Sequence, residues 1–230
     1  MSSPEFDEFA QSYDAVLENC LGGEDSSGAV EHFARGKALY LAQLLGAGFS
    51  GAILDYGCGH GRVARHLLEV LPKAAVQGYD ISEKTIASAD PELRKRARLT
   101  SRQEDLAPSY DLVLAAGVLH HIPPAERPGF LMALKARLAP GGRLVFFEHN
   151  PRNMLTRRVV ERCIFDKGVV LCDAGEMRAL LAGAGLGVER LDYISFVPPA
   201  LASLRGLERL LTWCPLGAQY AAVGRSGGGR

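Results

Sequence analysis

The chain has 230 residues, of which 47% are hydrophobic and 23% are charged, and its 26 basic residues balance 26 acidic ones. This composition excludes a largely disordered chain and leaves enough apolar material for a core, while the length favours one domain. The neutral total gives no support for a dedicated nucleic-acid binder.

The cysteines and the first residues bear on the cellular location. Five cysteines are scattered along the chain without a C-x-x-C pair, which is typical of reduced thiols in the cytoplasm. Residues 1–10 are acidic and polar, so we expect no secretion signal. No apolar run approaches the roughly 18 residues that cross a bilayer. The sequence therefore predicts a cytoplasmic protein without a membrane span.

Short apolar runs alternate with helical patterns, which is typical of a parallel α/β sheet. We predict a helical N-terminal cap over residues 1–50 and a disordered, Gly-rich tail over 226–230. The predicted strands are Ala52–Leu54, Ala75–Tyr79, Arg98–Thr100, Asp111–Ala116, Arg143–Phe147, Val188–Val197 and Gln219–Gly224. The predicted helices after the cap are Arg62–Leu71, one that Ser82 caps, Pro128–Leu138, Arg152–Arg162, one from Asp173 to Leu181 and Ala200–Leu211.

Two of these helices carry specific end signals. Pro140-Gly141-Gly142 should stop the helix that begins at Pro128. Asp173 should cap the helix that follows it, and Glu176, three residues on, should complete a capping box.

The most informative stretch is a glycine loop between a predicted strand and a predicted helix. Gly57, Gly59 and Gly61 alternate there, and glycine lets the backbone adopt positive φ and approach a ligand closely. The helix start beyond the loop adds a partial positive charge. Asp80 lies 19 residues after Gly61, at the end of the next strand, where a carboxylate can bind both hydroxyls of a ribose.

Two ligands compete for this loop. A nicotinamide dinucleotide requires G-x-G-x-x-G, but here the third glycine comes one residue early and Arg62 occupies its place. Asp55, just before the loop, would repel a pyrophosphate and attract an α-ammonium group. Both features suit S-adenosyl-L-methionine (SAM), which joins an uncharged ribose to an amino acid.

At this point the sequence resembles the class I SAM-dependent methyltransferases, especially the small-molecule branch of the ubiquinone-biosynthesis type. The resemblance covers roughly residues 55–147, with a weaker echo at residues 6–14. It is carried by L-D-x-G-C-G-x-G-R at 54–62, Asp-Ile-Ser at 80–82, D-L-V-L-x-x-x-V-L-H-H-I at 111–122 and L-x-P-G-G-R-L at 138–144. It implies a Rossmann-like, seven-stranded, mostly parallel sheet flanked by helices, whose last strand is antiparallel.

The resemblance also implies a cofactor site. Its residues would be Tyr13, Asp55, Gly57, Cys58, Gly59, Gly61, Asp80, Ile81, Glu104, Asp105 and Ala116. Asp55 and the glycine loop would hold the methionine part, Asp80 the ribose, and Ile81 the adenine. The chain is short after the third strand, where an acid meets the adenine amino group; Asp105 is favoured there over Glu104. Tyr13 matches a position that closes over the cofactor.

Three histidines lie where ligands bind in open α/β sheets, beyond the carboxyl ends of the strands. Imidazole titrates near neutral pH, so a histidine there suits a general base for a hydroxyl acceptor. His149, after the fifth strand, is our first choice and His120 the second. The family resemblance implies that His121 braces the loop. The alternative for each is a hydrogen-bonded or solvated loop histidine. We predict no metal site, because these histidines and Cys58 lack ligand spacing.

The predicted function is SAM-dependent methyl transfer to a small molecule, with oxygen favoured as the acceptor atom. We predict one methyltransferase domain over residues 1–225, in which insertions within 150–215 cover the acceptor. The alternatives are an N- or C-methyltransferase, a nicotinamide-dependent oxidoreductase and a SAM-binding module without turnover. A nucleic-acid partner is not expected, because the fourth strand lacks the Pro-Pro-aromatic run that stacks a flipped base.

Overall fold

A seven-stranded sheet forms the centre of the protein in a computed structural model, which describes residue 20 and residues 27–197 and 206–227. The strands are β1 (Ala52–Tyr56), β2 (Ala75–Tyr79), β3 (Arg98–Thr100), β4 (Tyr110–Ala116), β5 (Leu138–His149), β6 (Gly187–Ile194) and β7 (Gln219–Arg225). Their order is β3-β2-β1-β4-β5-β7-β6, and β7 runs antiparallel to the other six strands, which are parallel to one another. The expected Rossmann-like sheet with an antiparallel last strand is confirmed.

Helices pack on both faces of this sheet, and each face has its own hydrophobic core. The helices are α1 (Ser27–Leu45), α2 (Arg62–Val70), α3 (Glu83–Ala87), α4 (Pro91–Arg96), α5 (Arg127–Lys135), α6 (Met154–Arg162) and α7 (Ala174–Gly183). Leu41 of α1 and Leu67 of α2 belong to the core on one face. Leu131 of α5 and Met177 of α7 belong to the core on the other. Within the described residues, no helix is both long and apolar enough to cross a bilayer.

The segment between α5 and β5 differs from the prediction. The helix ends at Lys135, and Pro140-Gly141-Gly142 lies inside β5, which begins at Leu138. The register of β5 against β4 shifts between Tyr110 and Leu112, which accommodates these residues within the pairing. Gly141 adopts φ 77°, a conformation that glycine reaches without strain. Pro140-Gly141-Gly142 therefore does not end the helix but forms part of the irregular first section of β5.

The capping box predicted for α7 forms only in part. The Asp173 side chain accepts hydrogen bonds from the backbone N–H groups of Gly175 and Glu176, at 2.7 and 2.9 Å. The Glu176 carboxylate does not complete the box, because it accepts a hydrogen bond from the Arg127 guanidinium at 2.6 Å. A tertiary ion pair has replaced the local bond.

The last predicted helix, Ala200–Leu211, is described only in part. Residues 206–210 form a 3-10 helix, and residues 200–205 of the prediction lie outside the described chain. Of the predicted tail, residues 226 and 227 are described without regular structure, and residues 228–230 lie outside the description.

Replacing Arg127 with methionine should destabilise the protein. Arg127 is fully buried, and its guanidinium binds the Glu176 carboxylate and donates to the carbonyls of Ile122 and Val170. Loss of the guanidinium leaves these acceptors without a donor, so we expect a loss of about 3 kcal/mol in the free energy of unfolding. Urea denaturation measures this change. The exposed Arg158→Met is the control and should stay within about 0.5 kcal/mol of wild type; equal effects would contradict the prediction.

Candidate active site

A cavity of about 600 Å³ opens at the carboxyl ends of β1, β4 and β5. We call it the central cavity. It extends from the glycine loop and α1 on one side to α6 and residues 195–197 on the other. The sequence-predicted residues that line it are Asp55, Gly57, Cys58, Gly59, Ala116, His120 and His149. The structure thus brings the glycine loop and the histidine-rich rim into one space.

The glycine loop has the backbone that its sequence predicts. Gly57, Gly59 and Gly61 have φ values of 77°, 56° and 80°, in the left-handed region. A Cβ on Gly57 would lie 2.5 Å from a methyl carbon of Val118, whereas a Cβ on Gly59 would meet nothing within 4 Å. The N–H groups of Gly57 and Cys58 donate to the Tyr79 carbonyl at 2.7 and 2.9 Å, which fastens the loop to β2.

Asp80 supports the loop from the end of β2. Its two carboxylate oxygens accept hydrogen bonds from the N–H groups of Gly59, at 2.8 Å, and Ser82, at 3.0 Å. Burial raises the pKa of Asp80 and outweighs the opposing effect of these bonds. A carboxylate offers about four lone-pair sites, so room remains for ribose hydroxyls. Ile81, the next residue, leaves 46% of its surface exposed for an aromatic ring to cover.

The two candidates for the adenine amino group lie outside the lining of the central cavity. Asp105 accepts a hydrogen bond from the Thr100 hydroxyl at 2.9 Å, close to the end of β3. Glu104 is two-thirds exposed and forms an ion pair with Arg102 at 3.0 Å. Asp105 is held beside the sheet, whereas Glu104 points to solvent, so the geometry keeps Asp105 ahead of Glu104 as a prediction.

Asp55 is the most unusual group in the cavity wall. Its side chain is only 1% exposed, and within the described chain its Oδ2 atom has no hydrogen-bond partner. Burial and the neighbouring Asp80 charge raise the pKa of Asp55 to about 7, although the charge of Lys37 opposes the shift. A buried carboxylate oxygen without a donor is costly, and a positively charged ligand would relieve that cost. The residue therefore fits the α-ammonium group of SAM.

Lys37 also lines the central cavity, and the sequence analysis gave it no role. It projects from α1 into the wall of the central cavity and interacts with the charges of Asp55 and Glu148. Burial lowers the pKa of Lys37 to about 8, against the pull of those two carboxylates. The helical pattern of residues 1–50 gave no sign that one lysine of α1 would face the cavity.

Cys58 behaves as a packing residue. Its side chain is buried, and its Sγ contacts the Gly59 carbonyl at 3.5 Å. Burial, followed by the charges of Asp55 and Asp80, raises the pKa of Cys58 well above its usual value. The thiol stays protonated, which is unsuitable for a nucleophile.

His120 is held between two carboxylates. Its Nδ1 lies 2.7 Å from Glu148 Oε2 and its Nε2 lies 3.3 Å from Asp166 Oδ1, while the residue is 3% exposed. Burial lowers its pKa, but the charges and hydrogen bonds of Glu148 and Asp166 prevail and raise it to about 9. Both ring nitrogens are engaged by these carboxylates, so His120 is less suited than His149 to accept a proton.

His149 has the opposite environment. Within the described residues neither of its ring nitrogens makes a hydrogen bond, and its ring lies 5.1 Å from that of His120, centroid to centroid. Burial and the positive charge of His120 lower the pKa of His149 to about 4. His121 shares these influences, and its pKa is also lowered. His149 therefore presents a neutral imidazole to the cavity.

Glu148 and Asp166 complete the rim, and sequence reasoning gave neither a role. Glu148 is 1% exposed and accepts hydrogen bonds from the N–H groups of Val118, at 3.1 Å, and Leu119, at 2.8 Å. The position of Glu148 at the end of the fifth strand could have indicated that it lies at the rim of the cavity. Asp166 lies in a short 3-10 turn after α6, where no local pattern points to the cavity.

Three aromatic side chains of the segment 150–215 differ in position. Phe165 and Phe196 line the central cavity. Trp213 does not line it and is 76% exposed, and its indole N–H donates to the Leu210 carbonyl at 2.9 Å. Tyr13 lies outside the described residues.

Comparisons with known proteins identify the enzyme class. A family model described as a methyltransferase domain matches residues 54–144. Trans-aconitate 2-methyltransferase of Mycobacterium ulcerans is 26% identical over 199 residues, which cover 78% of this chain and 71% of that protein. Malonyl-[acyl-carrier protein] O-methyltransferase of Halalkalibacterium halodurans is 28% identical over 110 residues; these cover 44% of this chain and 40% of that protein.

A solved structure shares the fold. Magnesium protoporphyrin IX methyltransferase of Synechocystis PCC 6803, with bound S-adenosylhomocysteine (SAH), superposes with a TM-score of 0.66 at 15% identity. The match covers 98% of this chain and 99% of that one. The matched family model spans the glycine loop, Asp80 and the two histidines after β4. The chain is an S-adenosyl-L-methionine-dependent methyltransferase with the class I fold.

Proposed function

We propose that the protein transfers a methyl group to an oxygen atom of a small organic molecule, with His149 as the general base. One observation carries this proposal: His149 and the glycine loop with Asp55 line the same cavity of about 600 Å³. A base must reach the acceptor hydroxyl while the donor lies on the loop, and one cavity satisfies both needs.

The chain offers a partner for each part of SAM. Asp55 would bind the α-ammonium group, and Lys37 the carboxylate, since the two side chains line the same wall with opposite charges. Gly57, Gly59 and Gly61 would admit the chain of the ligand close to the backbone. When bound, SAM supplies a methyl group already activated on a positively charged sulfur.

The adenosine half would lie on the other side of the loop. Asp80 would accept hydrogen bonds from the ribose hydroxyls, and Ile81 would pack on the adenine. Asp105, with Glu104 as the alternative, would meet the adenine amino group. Cys58 and Ala116 would contribute packing surface, and Tyr13 is retained as a predicted covering residue.

His149 would hold the proton of the acceptor hydroxyl at a ring nitrogen. The neutral form needed for this role is favoured by burial and by the nearby His120, as described above. His120 remains the second choice. Its Nδ1 and Nε2 face Glu148 and Asp166. We therefore expect His120 to orient the rim while His149 moves the proton.

The acceptor is proposed to be small because the shared cavity must also hold the cofactor. Apolar side chains of the segment 150–215 line it, among them Leu155 and Phe165. We propose that this segment covers the acceptor. The names of the two relatives reported above refer to trans-aconitate and to O-methylation, which favours an oxygen acceptor for this chain too.

Methyl-labelled SAM and a panel of small hydroxy acids, phenols and carboxylic acids test the proposal. We expect SAH to form in equal amount with a labelled methyl ether or methyl ester. Alkaline hydrolysis distinguishes the two products, because it cleaves the ester and leaves the ether intact. Incubation without an acceptor gives the background. Label on nitrogen or carbon would contradict O-methylation and support the N- or C-methyltransferase alternative.

A further inference from the structure

A cluster of metal-ligating side chains lies at the rim of the central cavity. His120, His121 and Asp166 each offer one donor atom, and these three atoms all lie within 4.8 Å of one another. The two histidines are consecutive in a 3-10 turn after β4, and their rings are 4.2 Å apart, centroid to centroid. Asp166 reaches them from the turn after α6. The tertiary structure thus brings together three potential metal ligands whose spacing in the sequence does not indicate a metal site.

The distances within the cluster suit a metal ion. Asp166 Oδ1 lies 3.3 Å from His120 Nε2 and 3.7 Å from His121 Nε2. Two ligands that each bind a tetrahedral ion at about 2.1 Å are separated by about 3.4 Å. An ion could therefore enter between these atoms with little movement of the side chains.

Glu148 prepares His120 for this role. Its Oε2 lies 2.7 Å from His120 Nδ1, on the side of the ring away from Asp166. Its other oxygen, Oε1, accepts hydrogen bonds from two backbone N–H groups, so the carboxylate is fixed. A carboxylate at one ring nitrogen holds a proton there, so that a metal ion can displace the proton at the other nitrogen and bind to it. This relationship is common around metal-binding histidines.

We propose that His120, His121 and Asp166 bind a divalent transition-metal ion such as Zn²⁺ or Co²⁺. Two imidazoles and one carboxylate suit these ions, whereas Mg²⁺ and Ca²⁺ prefer oxygen ligands alone. Three protein ligands leave further positions open, as in catalytic metal sites. If the proposed function holds, an oxygen of the acceptor occupies an open position beside His149. The proposal departs from the sequence prediction of no metal site.

Cobalt binding to the full-length protein tests the site without reference to activity. The purified, untagged chain is treated with a chelator, dialysed and titrated with Co²⁺ while its visible d–d absorbance is followed. We expect saturation at one Co²⁺ per chain, displacement by Zn²⁺ and no displacement by Mg²⁺. His121→Ala and Asp166→Asn should abolish the signal, and Glu148→Gln should weaken binding about 10- to 100-fold.

His66→Gln is the matched control. His66 also contacts two carboxylates, those of Glu31 and Glu69, but it is not part of the cluster. It should bind Co²⁺ as wild type does. Circular dichroism of each metal-free variant checks folding, and Zn²⁺ should raise the melting temperature of wild type but not of folded Asp166→Asn. Absence of saturable binding to the folded wild type overturns the proposal, and so does unchanged binding in both His121→Ala and Asp166→Asn. The proposed function has its own readout, SAH formation, so the two can fail separately.

Discussion

Replacing Asp55 with asparagine should remove most of the affinity for SAH while leaving the fold at least as stable as wild type. The amide side chain cannot provide the negative charge that we assign to the α-ammonium partner. Loss of one member of a buried charge pair costs about 2 to 4 kcal/mol, which corresponds to a roughly 30- to 1000-fold weaker affinity. Isothermal titration calorimetry with SAH measures this change.

The stability of the same variant separates a binding role from a structural one. The folded state raises the pKa of Asp55 to about 7 from 3.8. A folded state that binds the proton more tightly loses stability as the pH rises from about 4 to about 7. Asparagine avoids this loss, so at pH 8 the variant should be more stable than wild type by about 1 to 4 kcal/mol. If Asp55 instead stabilised the fold, Asp55→Asn would be less stable than wild type at this pH.

The same group should make SAH binding depend on pH. The groups that act on Asp55 are Asp80, which raises its pKa, and Lys37, which lowers it; the Cys58 thiol beside it stays neutral. Below pH 7 the Asp55 carboxyl becomes protonated, so the dissociation constant for SAH should rise as the pH falls from 7 to 5, a range in which Lys37, with a pKa of about 8, is already protonated. Asp55→Asn should lack this component of the pH dependence.

Asp90→Asn is the control for these measurements. It makes the same chemical change at the exposed start of α4, where asparagine caps a helix as well as aspartate does. It should bind SAH as wild type does. If Asp55→Asn binds SAH within roughly threefold of the control, Asp55 does not hold the ammonium group.

Replacing His149 with glutamine should lower the turnover number about 100-fold or more, because general base catalysis typically contributes 10²- to 10⁴-fold. The affinity for SAH should stay close to that of wild type, since Asp55 and the glycine loop remain intact. Steady-state kinetics with an acceptor found in the labelling experiment measures the first quantity, and calorimetry the second. In His149→Ala, added imidazole should restore part of the turnover.

His66→Gln again serves as the control, because that histidine does not line the central cavity. If His149→Gln retains turnover within roughly threefold of this control, His149 is not the general base and that assignment is overturned. Alkaline hydrolysis of the labelled product then separates two explanations. An ester indicates an acceptor that is already ionised, such as a carboxylate, whereas an ether indicates that His120, the second choice, is the base.

Much of the fold was predictable because its signals are local. Short apolar runs separated by helical patterns located all seven strands to within a few residues, apart from the early start of β5. There Pro140-Gly141-Gly142 indicates a turn, yet pairing with β4 draws these residues into the strand. The capping box predicted at Glu176 is incomplete for a similar reason, because the Glu176 carboxylate binds the buried Arg127 guanidinium instead of the backbone at the helix start. In both places a tertiary contact outweighs a local preference.

The sequence by itself determined the glycine loop, the acid after β2 and hence the cofactor, because alternating positive φ and a carboxylate nineteen residues later are properties of a short stretch of chain. Only the tertiary structure decided that Lys37 would face Asp55 and that Asp166 would meet His120. These encounters depend on how α1 and the turn after α6 pack across the sheet. Packing sums many weak contacts between distant segments, so no short pattern encodes it.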